Sequence, residues 1–509
     1  LEATRRTSGM FLSLIAVVFI IYALMGPYFP SAIAHRGETW PRLVSFLYLT
    51  TEGIYGTAMG VASTYIIVFV IFGSFLEKFG AGEWFIDVAY AVTGKYRGGP
   101  AKTAVVASGL MGMISGAPAA NVATTGSFTI PLMKKTGYSA EEAGAIEAVA
   151  STGGIFTPPI MGAAAFIMAE YLQIPYREVA KSAIIPALLY YFTLMLVVDA
   201  RAVKKGLLGL KSEELPQFGE VMKGKGILSI PIVLIIFLIV IGYSPMKAAF
   251  YSTILSVVVA FFRPKTKPTI KKLLEALEEG AKGCVPIISA CATAGIIVGV
   301  ISMTGLGAKL SYTLIGLASG NLLIAGLICA FICLVLGCGM PPTAVYVVVA
   351  SILAPPLIDL GANPMAAHLF LFIFASVGAL TPPVAITAYT GAAIANGDPN
   401  KTGIMAFRFG LSAYIIPFTF LVSPEVILIG ELSTIMINVL SLTIGIIALV
   451  IAFEGYFIRY FSAIPRIIMG LSAIGLIIPG IKSDMIGFVG IVIAIIFEKF
   501  RQKNSAQTI

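Results

Sequence analysis

Long apolar segments separated by short polar stretches recur along the whole chain. Many of them reach the roughly 20 residues that a helix needs to cross a bilayer, and alternating strands of the kind that build membrane barrels do not occur in the pattern. The pattern therefore predicts an all-α polytopic membrane protein. Amphipathic surface segments are predicted at 41–55 and 309–319. Uninterrupted helices are predicted at 10–34, 57–76, 184–198, 227–243, 248–262, 284–303, 403–422, 432–453, 466–479 and 485–497.

Four further apolar segments are interrupted by glycine, proline and small polar residues. Unwound backbone at membrane depth survives only where protein, water or a ligand satisfies its amide and carbonyl groups. We interpret two of the segments as re-entrant hairpins and two as broken spanning helices. The hairpins, with their breaks in parentheses, are 103–133 (115–121) and 321–356 (337–342), and the broken helices are 140–172 (151–159) and 366–396 (378–383).

The interrupted segments of the second half echo those of the first. Two corresponding Gly/Pro-interrupted segments in the two halves of a chain point to the binding site of a secondary transporter with inverted repeats. The aligned positions are Gly116 with Gly339, Pro118 with Pro341 and, after one extra residue in the second copy, Thr157-Pro158-Pro159 with Thr381-Pro382-Pro383.

The distribution of charge predicts the topology. Charged residues make up 12% of the chain, against about 25% in soluble domains, and the net charge is +9. Loops 201–225 and 263–282 carry six Lys or Arg residues each, which makes both cytoplasmic by the positive-inside rule. Basic residues flank the first hairpin but not the second, so we expect the two hairpins to enter from opposite sides. The protein is then expected in the inner membrane, with both termini on the cytoplasmic side. Because the basic residues follow this topology, the net positive charge does not indicate nucleic-acid binding.

Each broken helix is expected to present ligand groups where its two halves meet. Thr157 and Thr381 are predicted to cap the second half-helix, with Pro158 and Pro382 at its first position. Amide groups at a helix start suit a carboxylate, whereas carbonyls at a helix end, together with a hydroxyl, suit a small cation. The carbonyl ends are expected at Gly153, Gly154 and Gly378.

Structural explanations compete with ligand binding at these positions. An isolated Gly or Pro pair in a spanning helix usually marks a kink or close packing, but matched pairs in two inverted halves favour a functional explanation. Glu147 is a candidate ligand group; the alternatives are that it lies near the inner interface or that it caps a hairpin. Polar residues that could bind a ligand or only join helices are Asn121, Thr124, Thr125, Thr343, Tyr346, Thr387 and Tyr389.

Catalytic motifs of zinc proteases, serine hydrolases and nucleotide-binding enzymes are absent from the sequence, so we expect a protein that is not an enzyme. Energy is expected from an ion gradient or from a partner. His35 and His368 are expected near the membrane surfaces, and the five cysteines in the core. An intramembrane enzyme and a channel are the alternatives from other classes. The first lacks a nucleophile–base pair, and the second predicts ion currents without coupling.

Three runs of the sequence resemble the large membrane subunit of tripartite ATP-independent periplasmic (TRAP) transporters, and most closely the fused permeases of the TAXI branch. The resemblance covers residues 10–424. A fused permease carries a four-helix small-subunit region before this part, which we expect either upstream in a longer precursor or as a separate chain. The three runs are SGAPAANVATTGSFTIPLMKKTGY, EAGAIEAVASTGGIFTPPIMGAAAFIMAE and GCGMPPTAVYV.

The resemblance implies a symporter that takes up organic acids with Na+, or with H+, in an elevator mechanism. An extracytoplasmic TAXI-type binding protein would deliver the small organic anion. A divalent-anion/Na+ symporter that works without a binding protein is the alternative. The implied cation sites are Ser115, Gly153, Gly154 and Pro158 in one half and Gly339, Gly378 and Thr381 in the other. The implied substrate residues are Asn121, Thr124, Thr125, Pro341, Thr343, Tyr346 and Thr387.

The same resemblance divides the chain into parts that would move and parts that would stay fixed in the bilayer. The transport domain would consist of the two hairpins and the two broken helices, and it would slide against a scaffold. The predicted parts are scaffold 1–100, transport repeat 101–175, scaffold with basic loops 176–282, transport repeat 283–396 and C-terminal helices 397–509.

Overall fold

Helices account for the regular secondary structure of the described chain, as the long apolar segments predict. The computed structural model describes residues 1–211, 213, 215–263, 266–457 and 460–506. Within these residues, seven helices are long and apolar enough to cross a membrane. The first helices of the chain are α1 (Glu2–Ser8), α2 (Met10–Leu24), α3 (Trp40–Leu49), α4 (Thr57–Val61), α5 (Ile67–Lys78) and α6 (Ala81–Thr93).

The prediction of one helix over 10–34 is wrong, because α2 ends at Leu24 and a 3-10 turn follows at Gly26–Tyr28. Pro27 in this turn has no amide hydrogen to continue the helix. The His35 ring folds back over Gly26, where a Cβ atom would lie 2.5 Å from it. Its Nε2 is 2.9 Å from the Tyr22 carbonyl oxygen, so the segment after the helix is held against the last turn.

The first repeat consists of two helices joined by a short turn, then a helix interrupted over nine residues, then one long helix. Both interruptions predicted from the sequence, at 115–121 and 151–159, are present and lie at 116–117 and 155–163. The Asn121 side-chain amide donates to the Ser108 carbonyl oxygen at 2.8 Å, so the second helix folds back along the first. These helices are α7 (Gly99–Ser115), α8 (Pro118–Lys135), α9 (Ala140–Gly154), α10 (Ala164–Leu172) and α11 (Tyr176–Lys204).

The middle of the chain contains a longer helix than hydropathy predicts. The helix expected over 284–303 begins at Ile270, so most of the predicted basic loop 263–282 is helical, and that prediction is wrong. Thr269 caps the helix by accepting a hydrogen bond from the Lys272 amide at 3.2 Å. The helices are α12 (Phe218–Lys225), α13 (Ile230–Val240), α14 (Pro245–Phe261), α15 (Ile270–Thr304) and α16 (Leu306–Leu317). Helices α1 to α5 pack against α15.

The second repeat follows the order of the first. Its interruptions lie at 338–341 and, with a 3-10 turn inside, at 378–385, which confirms the predicted breaks. The spanning segment predicted over 403–422 lies within one candidate membrane span, Pro399–Val422, which has a turn at Gly410 and Leu411. The helices are α17 (Leu322–Gly337), α18 (Pro342–Asp359), α19 (Pro364–Val377), α20 (Ile386–Ala395), α21 (Pro399–Phe409) and α22 (Ser412–Val422).

The first residues of corresponding helices correct the alignment of the repeats. Pro118 begins α8 and Pro342, not Pro341, begins α18, both in the first turn where proline is tolerated. Helices α9 and α19 both follow a capping side chain. Ser139 accepts from the Glu142 amide at 3.2 Å, and Asn363 accepts from the Met365 amide at 2.9 Å. The same number of residues therefore separates Pro118 from Pro342, where α8 and α18 begin, and Ser139 from Asn363, which cap α9 and α19.

The two repeats are interlocked. The second half-helix of each repeat packs on the hairpin and on the first half-helix of the other: α10 on α18 and α19, and α20 on α8 and α9. Helices α9 and α20 approach backbone to backbone, since a Cβ atom at Gly391 would lie 2.5 Å from the Gly144 carbonyl oxygen. The four interrupted elements thus form one packed unit.

Three C-terminal helices, α23 (Leu432–Glu454), α24 (Ala463–Ile477) and α25 (Ile481–Ala506), pack in sequence order, and α23 contacts α11. The last residue of α23, Glu454, is buried and joins this part to the rest through three basic side chains. Its carboxylate lies 2.9 Å from Arg201 Nε, 2.8 Å from Lys204 Nζ and 3.3 Å from Arg408. A buried carboxylate needs such partners because its desolvation is costly.

Candidate transport site

The threonines at the two breaks do not cap the second half-helices, so this prediction is wrong. Thr157 Oγ1 donates to the Gly153 carbonyl oxygen at 2.6 Å, and Thr381 Oγ1 donates to the Val377 carbonyl oxygen at 2.8 Å. Helices α10 and α20 begin several residues later, which also removes Pro158 from a helix start. A threonine hydroxyl readily bonds to the carbonyl four residues back, and here it satisfies a carbonyl at the end of the first half-helix.

Tyrosines from the following helices reach the same two helix ends. In the first repeat, Tyr190 and Tyr191 of α11 donate to the carbonyl oxygens of Val149 and Ala150 at 2.7 and 2.8 Å. In the second repeat, Tyr414 Oη of α22 lies 2.8 Å from Thr381 Oγ1. These tyrosines were not identified from the sequence. The available signal is their spacing, because Tyr414 follows Tyr190 at the same interval as Thr381 follows Thr157.

Glycines bring each hairpin against the broken helix of its own repeat. A Cβ atom at Gly154 would lie 2.5 Å from Gly112 Cα, and one at Gly378 would lie 2.7 Å from Gly337 Cα. Gly153 is covered by the Tyr190 ring, which would lie 2.4 Å from a Cβ atom there. Two of the predicted cation-site residues, Gly154 and Gly378, are therefore also points of close backbone contact, which lipid-embedded helices achieve only with small residues.

Two buried oxygens at the first hairpin lack hydrogen-bond partners among the described residues. They are Ser115 Oγ, at the end of α7, and Asn121 Oδ1, in the first turns of α8. Buried polar atoms are rarely left unpaired, so these two predicted site residues can accept a further ligand. At the second hairpin, Gly339 lies under the Phe11 ring of α2, and a Cβ atom added at Gly339 would lie 3.1 Å from that ring.

Glu147 lies in the interior of the first repeat, fully buried between α7, α8 and α9. Ser108 Oγ is 2.5 Å from Oε1, Thr129 Oγ1 is 2.5 Å from Oε2, and Ser151 Oγ is 3.4 Å from Oε1. Thr125 also donates to Oε1. The carboxyl group therefore joins the hairpin to the broken helix. The role of Glu147 was left open by the sequence, and the surrounding hydroxyls were not predicted as one cluster.

The predicted substrate residues fall into an accessible group and a buried group. Thr124 is exposed and bonds to the Ala120 carbonyl oxygen at 3.1 Å, while Pro341 and Thr343 are partly exposed. The buried members are Asn121, Thr125, Tyr346 and Thr387.

His368, near the start of α19, is buried in the protein, and its expected position near a membrane surface stays a prediction. Its Nδ1 lies 2.8 Å from Tyr346 Oη, and the Tyr171 ring lies beside both rings. Tyr389, the remaining candidate of the second half, donates to the Pro383 carbonyl oxygen at 2.6 Å. The structure therefore brings Asn121 and Thr125 of the first hairpin together with Glu147 of α9, and it places Tyr346 of the second hairpin in an aromatic cluster.

A cavity of about 320 Å³ lies elsewhere, between the start of α11 and the connection from α13 to α14. Glu170, Tyr176, Arg177 and Tyr243 are among its lining residues, and none of the predicted site residues lines it. Tyr176 Oη donates to the Pro159 carbonyl oxygen at 3.0 Å, which connects the cavity wall to the first break.

Apolar helices long enough to span a bilayer, together with paired interruptions whose carbonyls are held by side chains, define a multi-pass membrane protein. The sequence matches the family model for the DctM component of the tripartite ATP-independent periplasmic transporters over residues 1–435. The chain belongs to this family. It is a transporter permease and not an enzyme, and a symporter that works without a binding protein is not favoured. The matched residues end inside α23 and do not include α24 and α25.

Curated relatives agree with this assignment. The C4-dicarboxylate TRAP transporter large permease protein DctM of Pseudomonas aeruginosa is 26% identical over 332 residues, which cover 64% of this chain and 76% of the relative. The protein of the same description from Vibrio cholerae is 24% identical over 401 residues, covering 70% and 86%. The 2,3-diketo-L-gulonate TRAP transporter large permease protein YiaN of Escherichia coli is 24% identical over 378 residues, covering 71% and 84%.

Proposed function

We propose that this permease takes up small organic anions together with a cation, and that the two repeats carry both binding sites. The observation that carries the proposal is the matched pair of breaks, each with a threonine and a tyrosine at the end of the first half-helix. Unwound backbone in a membrane is costly unless protein, water or a ligand satisfies its amide and carbonyl groups. Discontinuous helices in paired repeats bind substrate and coupling ions in secondary transporters.

Na+ is the proposed coupling ion, with H+ as the alternative. The proposed ligands in the first repeat lie at Ser115, Gly153, Gly154 and Pro158, and those in the second at Gly339, Gly378 and Thr381. Hydroxyl and main-chain oxygens of this kind suit a small hard cation, and the unpaired Ser115 oxygen is available to one. Each net positive charge carried inward adds about 2.3 kcal/mol per 100 mV to the driving force.

A carboxylate is the proposed substrate group, because two of the relatives described above are named for C4-dicarboxylates and one for a sugar acid. We place it near Thr124, Pro341 and Thr343, which are accessible, and beside Asn121, whose side-chain oxygen lacks a partner. The more deeply buried proposed contacts are Thr125, Tyr346 and Thr387. Their burial fits a unit that must rearrange to expose them, as an elevator mechanism requires.

The proposed assembly follows the family. TRAP large permeases work with an extracytoplasmic substrate-binding protein and a small membrane subunit. We propose that the binding protein here is of the TAXI type and that the small subunit, fused or separate, completes the complex in the inner membrane. Both ends of this chain are then cytoplasmic, beside the basic loops.

The test is uptake of labelled C4-dicarboxylates and a keto sugar acid into liposomes that contain the full membrane complex. Uptake is expected only when the binding protein is outside and a Na+ gradient is imposed. Imposing a proton gradient in the absence of Na+ shows which of the two ions drives uptake. Uptake that proceeds equally without any cation gradient, or without the binding protein, would overturn the proposal.

A further inference from the structure

The carboxyl group of Glu147 is enclosed by hydroxyl groups and not by cations. Four hydroxyls reach it: Ser108 at 2.5 Å, Thr129 at 2.5 Å and Ser151 at 3.4 Å, together with Thr125. A buried carboxylate is expensive unless charge partners or hydrogen-bond donors compensate it. Four hydroxyl donors can pair with an ionised carboxylate, which accepts at both oxygens.

The ionisable and charged side chains on the elements that pack against α9 are engaged elsewhere or exposed. The Tyr191 hydroxyl of α11 is bound to the Ala150 carbonyl oxygen at 2.8 Å. Lys135 of α8 and Lys401 of α21 are exposed. The bound groups are Lys102 (to Asp199), Lys134 (to the Ala395 carbonyl oxygen), Tyr190 (to the Val149 carbonyl oxygen), Tyr389 (to the Pro383 carbonyl oxygen) and Arg408 (to Glu454).

The same hydroxyls can also serve a neutral carboxyl group. Thr125 Oγ1 lies 2.8 Å from the Asn121 carbonyl oxygen, and Thr129 Oγ1 lies 3.1 Å from the Thr125 carbonyl oxygen. If their protons turn to these backbone acceptors, one of the two hydroxyl oxygens can accept the carboxyl proton. The cluster therefore satisfies both charge states of Glu147 by rotating hydroxyl protons, with no movement of heavier atoms.

The second repeat does without this cluster. The corresponding positions of the second repeat are all apolar and buried. We align the repeats by the first residues of α8 and α18, by the starts of α9 and α19, and by the glycine contacts between hairpin and broken helix. The fold at this place therefore does not require polar groups. The pairs are Ser108 with Cys333, Thr125 with Val349, Thr129 with Leu353, Glu147 with Leu371 and Ser151 with Ala375.

Hydrogen-bond contact between the oxygens favours a proton over a metal ion. Ser108 Oγ is 2.5 Å from the carboxyl oxygen and 3.0 Å from Thr125 Oγ1. A cation placed among these oxygens would have to displace the hydroxyl protons that now join them. Because Glu147 is fully buried, water reaches it only when α8 and α9 separate.

We propose that Glu147 is a proton-binding site of the transport unit. Its carboxylate takes one proton from water to become a neutral carboxyl group, and returns it to water when the hairpin α7–α8 next opens from α9. This inference rests on the proposed function, because it links proton binding to the motion that carries the substrate. Proton occupancy then changes the rate of uptake with pH, in addition to the proposed Na+ dependence.

Infrared difference spectra of the purified full-length protein test proton binding without any transport. Spectra recorded between about pH 5 and about pH 9, the range that buried carboxyl groups reach, are expected to contain a protonated-carboxyl band that titrates. The band should be missing in Glu147→Gln and present in Glu141→Gln, a control on the same helix outside the cluster. Absence of a titrating band that depends on Glu147 would overturn the proposal.

Uptake into liposomes at a fixed Na+ gradient tests the consequence for transport. One proton changes occupancy up to tenfold per pH unit, so the uptake rate of the wild type should vary with pH and that of Glu147→Gln should not. A Glu147→Gln profile that follows the wild type would overturn the proposal. If the infrared band titrates but neither the wild type nor Glu147→Gln takes up organic anions, the proton site stands and the proposed function fails.

A variant that carries the second-repeat residues guards against misfolding of the single mutant. It combines Ser108→Cys, Thr129→Leu, Glu147→Leu and Ser151→Ala, and it keeps Thr125, which is a proposed substrate contact. Replacing a buried charged cluster by packed apolar residues is often neutral or stabilising, so this protein should fold. Its uptake should be independent of pH, and a wild-type pH profile in the folded variant would contradict the assignment.

Discussion

Adding a methyl group at Gly154 or Gly378 tests whether the glycine contacts hold the hairpins against the broken helices. In Gly154→Ala the new Cβ atom lies 2.5 Å from Gly112 Cα, and in Gly378→Ala it lies 2.7 Å from Gly337 Cα. Carbon atoms in contact prefer about 3.5–4.0 Å. The backbones must therefore separate by about 1 Å in each variant, because neither partner is a flexible side chain.

The energetic cost follows from overpacking. Extra carbon atoms in a packed interior cost about 1–3 kcal/mol. Alanine in a helix gains up to about 1 kcal/mol over glycine, which offsets part of that cost at Gly154. A net loss of about 1–2 kcal/mol is expected for Gly154→Ala and up to about 3 kcal/mol for Gly378→Ala, which lies in a 3-10 turn.

The assay is thermal unfolding of the purified protein, compared at one scan rate because unfolding of large proteins is often irreversible. Gly316→Ala is the matched control, since this glycine lies within α16 and a Cβ atom there would meet nothing within 4 Å. The control should unfold at the wild-type temperature or slightly above it. Unfolding of Gly154→Ala and Gly378→Ala at the temperature of the control would refute the reasoning.

Three further predictions concern a break, the C-terminal contact and the helix starts. Thr381→Ala should raise the Na+ concentration needed for half-maximal uptake more than it lowers the melting temperature; equal uptake at all Na+ levels would contradict the second cation site. Glu454→Gln should cost about 2 kcal/mol of unfolding free energy, while Glu278→Gln, in an exposed pair, should cost under about 0.5 kcal/mol. Ser139→Ala and Asn363→Ala should each cost about 1 kcal/mol, and unequal losses would contradict equivalent caps.

The interruptions could be predicted because glycine and proline disrupt apolar helices in a recognisable way. All four breaks and the order of the two repeats agree with the sequence analysis. The exact partners at the breaks could not be predicted. A threonine before proline can cap a helix or bond to the preceding turn, and the choice at Thr157 and Thr381 depends on where the next helix starts.

Helix ends away from the breaks were harder to predict. The charged first half of α15 is too polar for a hydropathy criterion, although its Thr269 cap marks the start. Pro27 and Gly410 interrupt segments whose hydropathy is continuous. In each case local backbone chemistry decides the end of the helix, and average hydropathy does not record it.

Part of the hydroxyl cluster around Glu147 could have been predicted from the sequence. A shift of one residue in the alignment of α8 with α18 places Thr125 opposite Val349 and Thr129 opposite Leu353. The contrast between a polar and an apolar repeat is then visible. The sequence alone could not place Ser108 in the same cluster, because that contact depends on how the hairpin folds onto α9.

Simultaneous measurement of radioactive Na+ and labelled organic anion entering liposomes tests the central claim of coupled uptake most directly. With the binding protein present, Na+ entry should depend on the organic anion, and anion entry should depend on Na+. The ratio of the two fluxes should be fixed in the wild type and should fall in Thr381→Ala. Anion uptake with no accompanying Na+ entry, at an unchanged rate in both proteins, would contradict sodium coupling through these breaks.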